Sequence, residues 1–470
     1  MTVLSEHLTS ETFSFTLNGR SEIVRDVDPH TTLLGYLRAR GLTGAKEGCA
    51  EGECGACAVA VVDRNAEGGA RFEAVNACLI LLAAVADAEV WTVEGVGTSD
   101  ALHPVQRVLA DGGGSQCGYC TPGFVMALFA HAHRAPSRDL TQSLSGNLCR
   151  CTGYRPIRDA ARALPVLSDD DPFVRRLAQP VPALSPIRYA VQDVAFDRPT
   201  SLKDALFLRA RHPEARLLAG GTDVVVELNQ EGTRYARFLS LEAITELRTI
   251  VEEEGTLELG AGITLSDIEE QLGNRVPLLA EVIPLFASPL IRARATLAGN
   301  LATASPIGDC APALLALDAE IELASVRGRR RVAVQEFFTG YRRTVLEPDE
   351  LIVAVRVPAR QPSHAHFFKV SKRKLDDISS VAAAFALDID QGVVTKARLV
   401  YGGVAPTPVR AEKAEQSLIG APFDRRLADL VRPALQSAFT PISDVRASAA
   451  YRSAMVLRLF ERFVWEGAAP

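Results

Sequence analysis

The chain has 470 residues, of which 47% are apolar and 23% charged, and its formal net charge is −6. That length predicts about three domains at ~150 residues each. Mild acidity argues against nucleic acid or an anionic membrane surface as partner. The longest fully apolar run, ten residues over 77–86, is half what a membrane span needs.

Residues 12–27 predict a hairpin. Phe13, Phe15 and Leu17 alternate, Asn18-Gly19 supplies the turn, and Ile23 and Val24 lead back. Thr31 and Thr32 are caps for a short helix carrying Leu33, Leu34 and Leu37. A cysteine loop follows: Cys49, Cys54 and Cys57 are spaced C-x4-C-x2-C, with Cys78 after a further twenty residues. Thiolates are soft ligands for iron, and this is the plant-ferredoxin spacing of a [2Fe–2S] cluster. Glycines at 48, 52 and 55 let the backbone wrap and aim N–H groups at anionic sulfur. With the strand 58–62, residues 1–90 predict a ferredoxin-like α+β domain.

Leu102, Val105, Val108 and Leu109 fall at helical spacing, and Gly112 to Gly114 stop that segment. Thr121 is the expected cap of a second helix, with Pro122 at its first position and Val125, Leu128, Phe129 and Ala132 as its buried stripe. A third helix begins at Pro156, lined by Ile157, Ala160 and Leu164. Cys117 and Cys120 precede the second helix, and Cys149 and Cys151 the third, where partial positive charge favours an anionic cluster. Residues 91–166 therefore predict an all-α second [2Fe–2S] domain.

Three other readings of the cysteines compete. Nine cysteines in 470 residues are too sparse for a disulfide scaffold, and no secretory leader is read at the start of the chain. Zinc suits the Cys117/Cys120 pair but leaves the glycine-rich first loop unexplained. Plain burial suits Cys78 alone better than a set of four. The ninth cysteine, Cys310, belongs to neither set and is expected in the core. With thiols held on metal, the reducing cytoplasm is the expected compartment.

Residues 167–188 hold an acidic run and repeated prolines, and predict a linker. The region 189–365 predicts an α/β domain. A capped helix from Ser201 and a strand ending at Leu218 lead to the turn Ala219-Gly220-Gly221-Thr222-Asp223, and Val224 resumes a helix. Such a turn exposes N–H groups that suit a pyrophosphate, although a Gly-Gly pair is more often only a turn. Ala298 to Pro306 again string small residues and hydroxyls. Neither segment has the G-x-G-x-x-G spacing, which disfavours a Rossmann site. Residues 366–470 predict a C-terminal α+β domain with strands near 383–389 and 397–400. Its closing helix carries Tyr451, Val456, Leu459, Phe460 and Phe463. The basic run Lys372-Arg373-Lys374 reads as a solvated loop. No histidine metal site is expected: His131 and His133 fall on different helix faces, and His364 and His366 lack a third ligand.

The runs QCGYCTPG from Gln116 and GNLCRCTGYRPI from Gly146 resemble the second iron–sulfur domain of the xanthine dehydrogenase family. The first cysteine loop, LLAGGTD, ATLAGNLATASPIGD, FFTGYR and KRKLDDI resemble that family in the same order, over nearly the whole chain. The resemblance implies a multidomain electron-relay chain with two [2Fe–2S] clusters and FAD. It places the catalytic molybdopterin cofactor on a separate large subunit, so no catalytic residue is expected here.

Electrons would pass from the helical cluster to the ferredoxin-like cluster, FAD and NAD+, in oxidation of hypoxanthine and xanthine to urate. The resemblance assigns Arg216, Leu217, Leu218, Ala219, Gly220, Gly221, Thr222, Asp223 and Val224 to the FAD pyrophosphate. It sets Ala298, Gly299, Asn300, Thr303, Ser305 and Asp309 on the other side, and Phe286, Ile352 and Lys369 beside the flavin ring. Asp223, Tyr341 and Asp376 would lie where NAD approaches, although relatives can carry glutamate at the place of Asp223. Gln116 would face the pterin at the subunit interface. A heterotetramer of two small and two large subunits is implied. The competing expectations are the equivalent part of an aldehyde or N-heteroaromatic hydroxylase, and a non-catalytic iron–sulfur redox or partner-binding protein.

Overall fold

The computed structural model describes residues 10–65, 67–134 and 139–467. The first nine residues, read above as carrying no leader, lie outside them. The chain forms two compact units. One comprises the described residues of Met1–Thr245 with Ala287–Ala295, the other Glu246–Phe286 with the described residues of Thr296–Pro470.

In the first unit the expected hairpin pairs Thr12–Leu17 with Arg20–Arg25. Asn18 and Gly19 both have positive φ, 52° and 76°, the turn whose twist matches that of the strands. Two strands missed in the sequence, Ala70–Asn76 and Glu89–Trp91, complete a five-stranded sheet. Its order is Arg20–Arg25, Thr12–Leu17, Glu89–Trp91, Ala58–Arg64, Ala70–Asn76. Arg71 and Glu73 hid the Ala70–Asn76 strand from a hydropathy reading. Both are buried, and Glu73 accepts ion pairs from Arg71 (3.1 Å) and Arg134 (2.9 Å). Helix Leu33–Ala39 is capped by Thr32, whose hydroxyl accepts from the Gly35 N–H. The apolar run 77–86 is folded as short 3-10 turns inside the core.

The helical part holds Pro104–Asp111, Thr121–Ala132, Leu140–Leu144 and Arg155–Arg162. Here one expectation is corrected: Cys120, not Thr121, is the N-cap of the second helix. Thr121 lies in the first turn and its hydroxyl bonds to Ser115 Oγ at 2.8 Å instead. The expected linker 167–188 includes the helix Pro172–Leu177. Asp171 caps that helix by accepting from the N–H groups of Phe173 and Val174. Phe173 is buried and meets Phe129 and Trp91 edge-on at 4.8 and 4.9 Å, an aromatic anchor that the polar composition around it concealed.

A four-stranded sheet in the same unit runs Ile187–Val191, Val194–Arg198, Arg237–Ser240, Arg216–Leu218. Helix Leu202–Arg211 is capped by Ser201, as expected, and helix Val224–Glu231 follows the Gly-Gly turn.

The second unit contains a five-stranded antiparallel sheet ordered Ile250–Glu253, Thr256–Gly260, Leu351–Pro358, Glu320–Ser325, Gly328–Ala333. A four-stranded antiparallel sheet is built from His364–Val370, Val381–Asp390, Val393–Gly402 and Val409–Arg410. The closing helix, Ala449–Gly467, lays Val456, Leu459, Phe460 and Phe463 against that sheet's Phe385, Leu399 and Tyr401, while Tyr451 stays exposed. Truncating the fully buried Phe460 to alanine costs about 3–5 kcal/mol. No helix among the described residues is long and apolar enough to cross a membrane.

Candidate functional site

The first cysteine set converges in the loop between helix Leu33–Ala39 and strand Ala58–Arg64, with Cys78 arriving from the buried run behind it. Cys49 hydrogen-bonds to Cys54, and Cys57 to Cys78, while Cys49 also acts electrostatically on Cys57 and Cys78. The Cys54 thiol, followed by the backbone N–H groups of Glu51, Cys54 and Glu53, holds the Cys49 thiol down to about 5 against the effect of burial. Cys54 and Cys78 are pushed up, first by the bonds they make to Cys49 and Cys57. Further N–H groups face the sulfurs: Ala56 on Cys54, Gly52 on Cys78. Four thiols this close ionise together only around a cation, and the ring of N–H donors suits sulfur carrying excess negative charge. The donor set fits an iron–sulfur cluster.

The second set is arranged alike. Cys117 hydrogen-bonds to Cys151, and Cys120 to Cys149. The Tyr119 N–H, then the bond with Cys151, draws Cys117 down; burial, then the bond with Cys149, pushes Cys120 up to about 12. Cys117 and Cys151 are exposed, and so are Gln116, Tyr119, Leu148 and Tyr154 around them.

The two loops are bonded to each other. The Leu148 N–H donates to the Cys54 carbonyl at 3.0 Å, and Asn147 Nδ2 donates to the Gly55 carbonyl at 3.1 Å. A Cβ on Gly55 would lie 2.3 Å from the Gly146 carbonyl, and Gly55 has φ of +66°, so both backbones approach only because glycine stands there.

A histidine group appears where none was expected. His103 caps helix Pro104–Asp111, His133 ends helix Thr121–Ala132, and each Nε2 lies 3.5 Å from an oxygen of Asp171. The three ligand atoms are close enough for a metal. His103 Nδ1 accepts the Val105 N–H at 3.2 Å, so its hydrogen sits on Nε2, whereas His133 Nδ1 donates to the Phe129 carbonyl at 2.8 Å and leaves its Nε2 lone pair towards Asp171. The group is a buried cluster beside the start of the Pro172–Leu177 helix, and both Nε2 atoms are buried without a hydrogen-bond partner. Burial first, then the nearby His133, lowers His103 to about 4, and burial lowers His133. His131 instead meets Ser143 Oγ, and His366 meets Glu281.

Among the residues assigned to flavin, those of the first unit form a strand–turn–helix. A Cβ on Gly220 would fall 1.8 Å from the Arg294 carbonyl, and Arg294 Nε donates to the Gly220 carbonyl at 3.2 Å. Gly221 has φ of +75° and backs onto the Leu79 carbonyl, one residue after Cys78. The Arg216 guanidinium is committed to Glu227, 2.8 Å to each carboxylate oxygen. Asn229 and Gln230, on the helix that follows, donate to the first cysteine loop: Asn229 Nδ2 to the Ala50 and Cys78 carbonyls (2.8 and 2.9 Å), Gln230 Nε2 to the Cys49 carbonyl (2.9 Å). Sequence reasoning missed both residues, because their partners lie far away along the chain.

In the second unit Thr296 caps helix Leu297–Ala302, and its hydroxyl accepts the Gly299 N–H. Ala298 is buried inside that helix, and Ser305 follows it in the turn. Asn300 Oδ1 is buried without a hydrogen-bond partner, an acceptor that suits a ligand donor such as a flavin N–H or ribose hydroxyl. Thr303 turns its hydroxyl back to the Asn300 carbonyl. Lys369 and Asp309 are both buried and paired at 2.7 Å; Lys369 also reaches the Leu285 carbonyl, and Ser379 donates to Asp309. Phe286 is half-buried in the turn after Leu285, and Ile352 is buried on strand Leu351–Pro358. Tyr341 is 62% exposed, and Asp376 lies in a left-handed turn (φ 52°) within the basic loop. Cys310 is fully buried in helix Cys310–Ala316, and burial pushes its thiol up. A separate cavity of about 430 Å³, lined by Arg410, Lys413 and Ala434 among others, shares none of the assigned residues.

Comparison with known proteins agrees with this geometry. Residues 15–83 match the model of a 2Fe-2S iron-sulfur cluster binding domain, and residues 92–162 that of a [2Fe-2S] binding domain. Residues 192–360 match the FAD binding domain in molybdopterin dehydrogenase, and residues 366–466 the CO dehydrogenase flavoprotein C-terminal domain. A carbon monoxide dehydrogenase chain from Hydrogenophaga pseudoflava is 30% identical with a TM-score of 0.55, over 61% of this chain and 100% of that one. This chain belongs to the xanthine dehydrogenase/molybdenum hydroxylase family. Quinoline 2-oxidoreductase from Pseudomonas putida 86 is similar at 28% identity and a TM-score of 0.54, over 57% of this chain and 94% of that one. The xanthine dehydrogenase of Emericella nidulans is 34% identical over 96% of this chain and 38% of its own length. The chain thus spans 38% of that relative. As a molybdenum hydroxylase family member it carries the [2Fe–2S] and FAD-binding domains of an electron-transfer oxidoreductase.

Proposed function

We propose that this chain is the electron-relay part of an NAD+-linked xanthine dehydrogenase. It takes two electrons per purine hydroxylated from a molybdopterin-bearing partner and delivers them to NAD+, and the overall change is purine plus water plus NAD+ to hydroxypurine, NADH and H+. When bound, the clusters supply one-electron steps and the flavin supplies the change from one-electron to two-electron transfer. The carrying observation is the hydrogen-bonded contact of the two cysteine loops with each other and of the first loop with the helix after the Gly-Gly turn.

In this reading Cys49, Cys54, Cys57 and Cys78 hold the first cluster and Cys117, Cys120, Cys149 and Cys151 the second. The N–H groups of 219–224 take the pyrophosphate, and Asn300, Asp309 and Lys369 orient the flavin. Asp223, Tyr341 and Asp376 meet the nicotinamide nucleotide. The exposed face around Gln116 docks the partner in a heterotetramer, and the setting is the cytoplasm. The domains divide at 1–90, 91–166, 189–365 and 366–470, with 167–188 linking them.

The second reading is another molybdenum hydroxylase. The similarity to carbon monoxide dehydrogenase and quinoline 2-oxidoreductase favours it. Purifying the chain with its molybdopterin-bearing partner and assaying NAD+ reduction separates the two. Reduction with hypoxanthine and xanthine supports the purine reading, whereas turnover only with carbon monoxide, an aldehyde or an N-heteroaromatic supports the other.

A further inference from the structure

Ala50 has φ of +58°, a left-handed conformation that costs an alanine about 1–2 kcal/mol. The two ends of its peptide explain why that conformation is kept. The Ala50 carbonyl accepts from Asn229 Nδ2 at 2.8 Å, while the N–H of the same peptide group, that of Glu51, points at the Cys49 sulfur. A peptide is planar with its C=O and N–H opposed, so holding one end aims the other. The same Asn229 nitrogen holds the Cys78 carbonyl at 2.9 Å, and Gln230 Nε2 holds the Cys49 carbonyl at 2.9 Å. Three carbonyls around the first cysteine set, two in its loop and one on Cys78, are therefore fixed by one turn of helix Val224–Glu231.

We propose that Asn229 and Gln230 are positioning residues that set the reduction potential of the first cluster from the flavin helix. N–H groups aimed at cluster sulfur stabilise the added electron, and carbonyls free to swing inward oppose it. Asn229 thus keeps the first cluster poised to exchange electrons with its neighbour on the same helix. The inference rests on the reading of the 219–224 segment as a flavin turn.

The test uses the full chain with its clusters and FAD, and reads each cluster's midpoint potential by electron paramagnetic resonance during redox titration. Asn229→Ala is expected to lower the first cluster's potential by about 59 mV, a tenfold shift in its one-electron equilibrium. The second cluster's potential, the iron content and the FAD content are expected to stay unchanged. Gln230→Ala, at an exposed position, removes a single bond and gives a smaller shift of the same sign, which keeps the test decisive should Asn229→Ala fail to fold. An unchanged first-cluster potential in the folded variants, with FAD bound, overturns the proposal. Failure of the flavin reading shows differently, as a wild-type chain that does not bind FAD.

Discussion

The Leu148 N–H and the Cys54 carbonyl are joined by a 3.0 Å hydrogen bond, so a residue next to Cys149 of the second set touches a cysteine of the first directly. Two sets of thiols separated along the chain thereby share one bonded junction. Gly55, Gly123 and Asn147 close it: a Cβ on Gly123 would lie 2.2 Å from the Gly55 carbonyl.

That junction has no room. Gly55→Ala adds a Cβ 2.3 Å from one backbone carbonyl at a positive φ, and overpacking of this kind costs about 1–3 kcal/mol. The variant is expected to melt below wild type and to lose the magnetic interaction between the two reduced clusters. Thermal unfolding and electron paramagnetic resonance check both.

On the proposed assignment, a change at Gly220 separates flavin binding from cluster binding. A Cβ there would sit 1.8 Å from the Arg294 carbonyl, which is backbone and cannot move aside cheaply. Gly220→Ala is expected to lose most of its FAD while keeping its iron, read as the flavin-to-iron ratio of the purified protein.

On the proposed assignment, each cysteine set holds its own cluster. Cys78→Ser is expected to abolish one cluster signal and leave the other, and the iron content falls by half. Loss of both signals together contradicts separate clusters.

Burial of His103 and His133 beside Asp171 gives a pH dependence. Both histidines titrate lower in the folded chain than an ordinary histidine at 6.5, so between about 6.5 and 4 the unfolded chain binds more protons. Stability therefore falls as pH drops into that window. The urea midpoint is expected to fall from pH 7.5 to 5.5, and to fall less in His133→Leu. Equal falls in both contradict a contribution from buried His133.

Local signals were legible in the sequence because they act over a few residues: the Asn18-Gly19 turn, the Thr32 and Ser201 caps, and the spacing of the eight cysteines. Features that depend on distant partners were not. Asn229 looks like any polar helix residue until the Ala50 and Cys78 carbonyls are placed against it. Asp171 and Phe173 read as linker because the aromatic cage that receives Phe173 comes from Trp91 and Phe129. Thr121 reads as the cap because hydroxyls usually cap helices, but here Ser115 engages it.

The central claim is that flavin and both clusters form one relay open to nicotinamide. Anaerobic titration of the purified chain with NADH, followed by visible absorbance, tests it most directly. The account predicts that the flavin and iron–sulfur bands bleach together. Bands that NADH leaves unchanged, in a protein shown to hold iron and FAD, would contradict it.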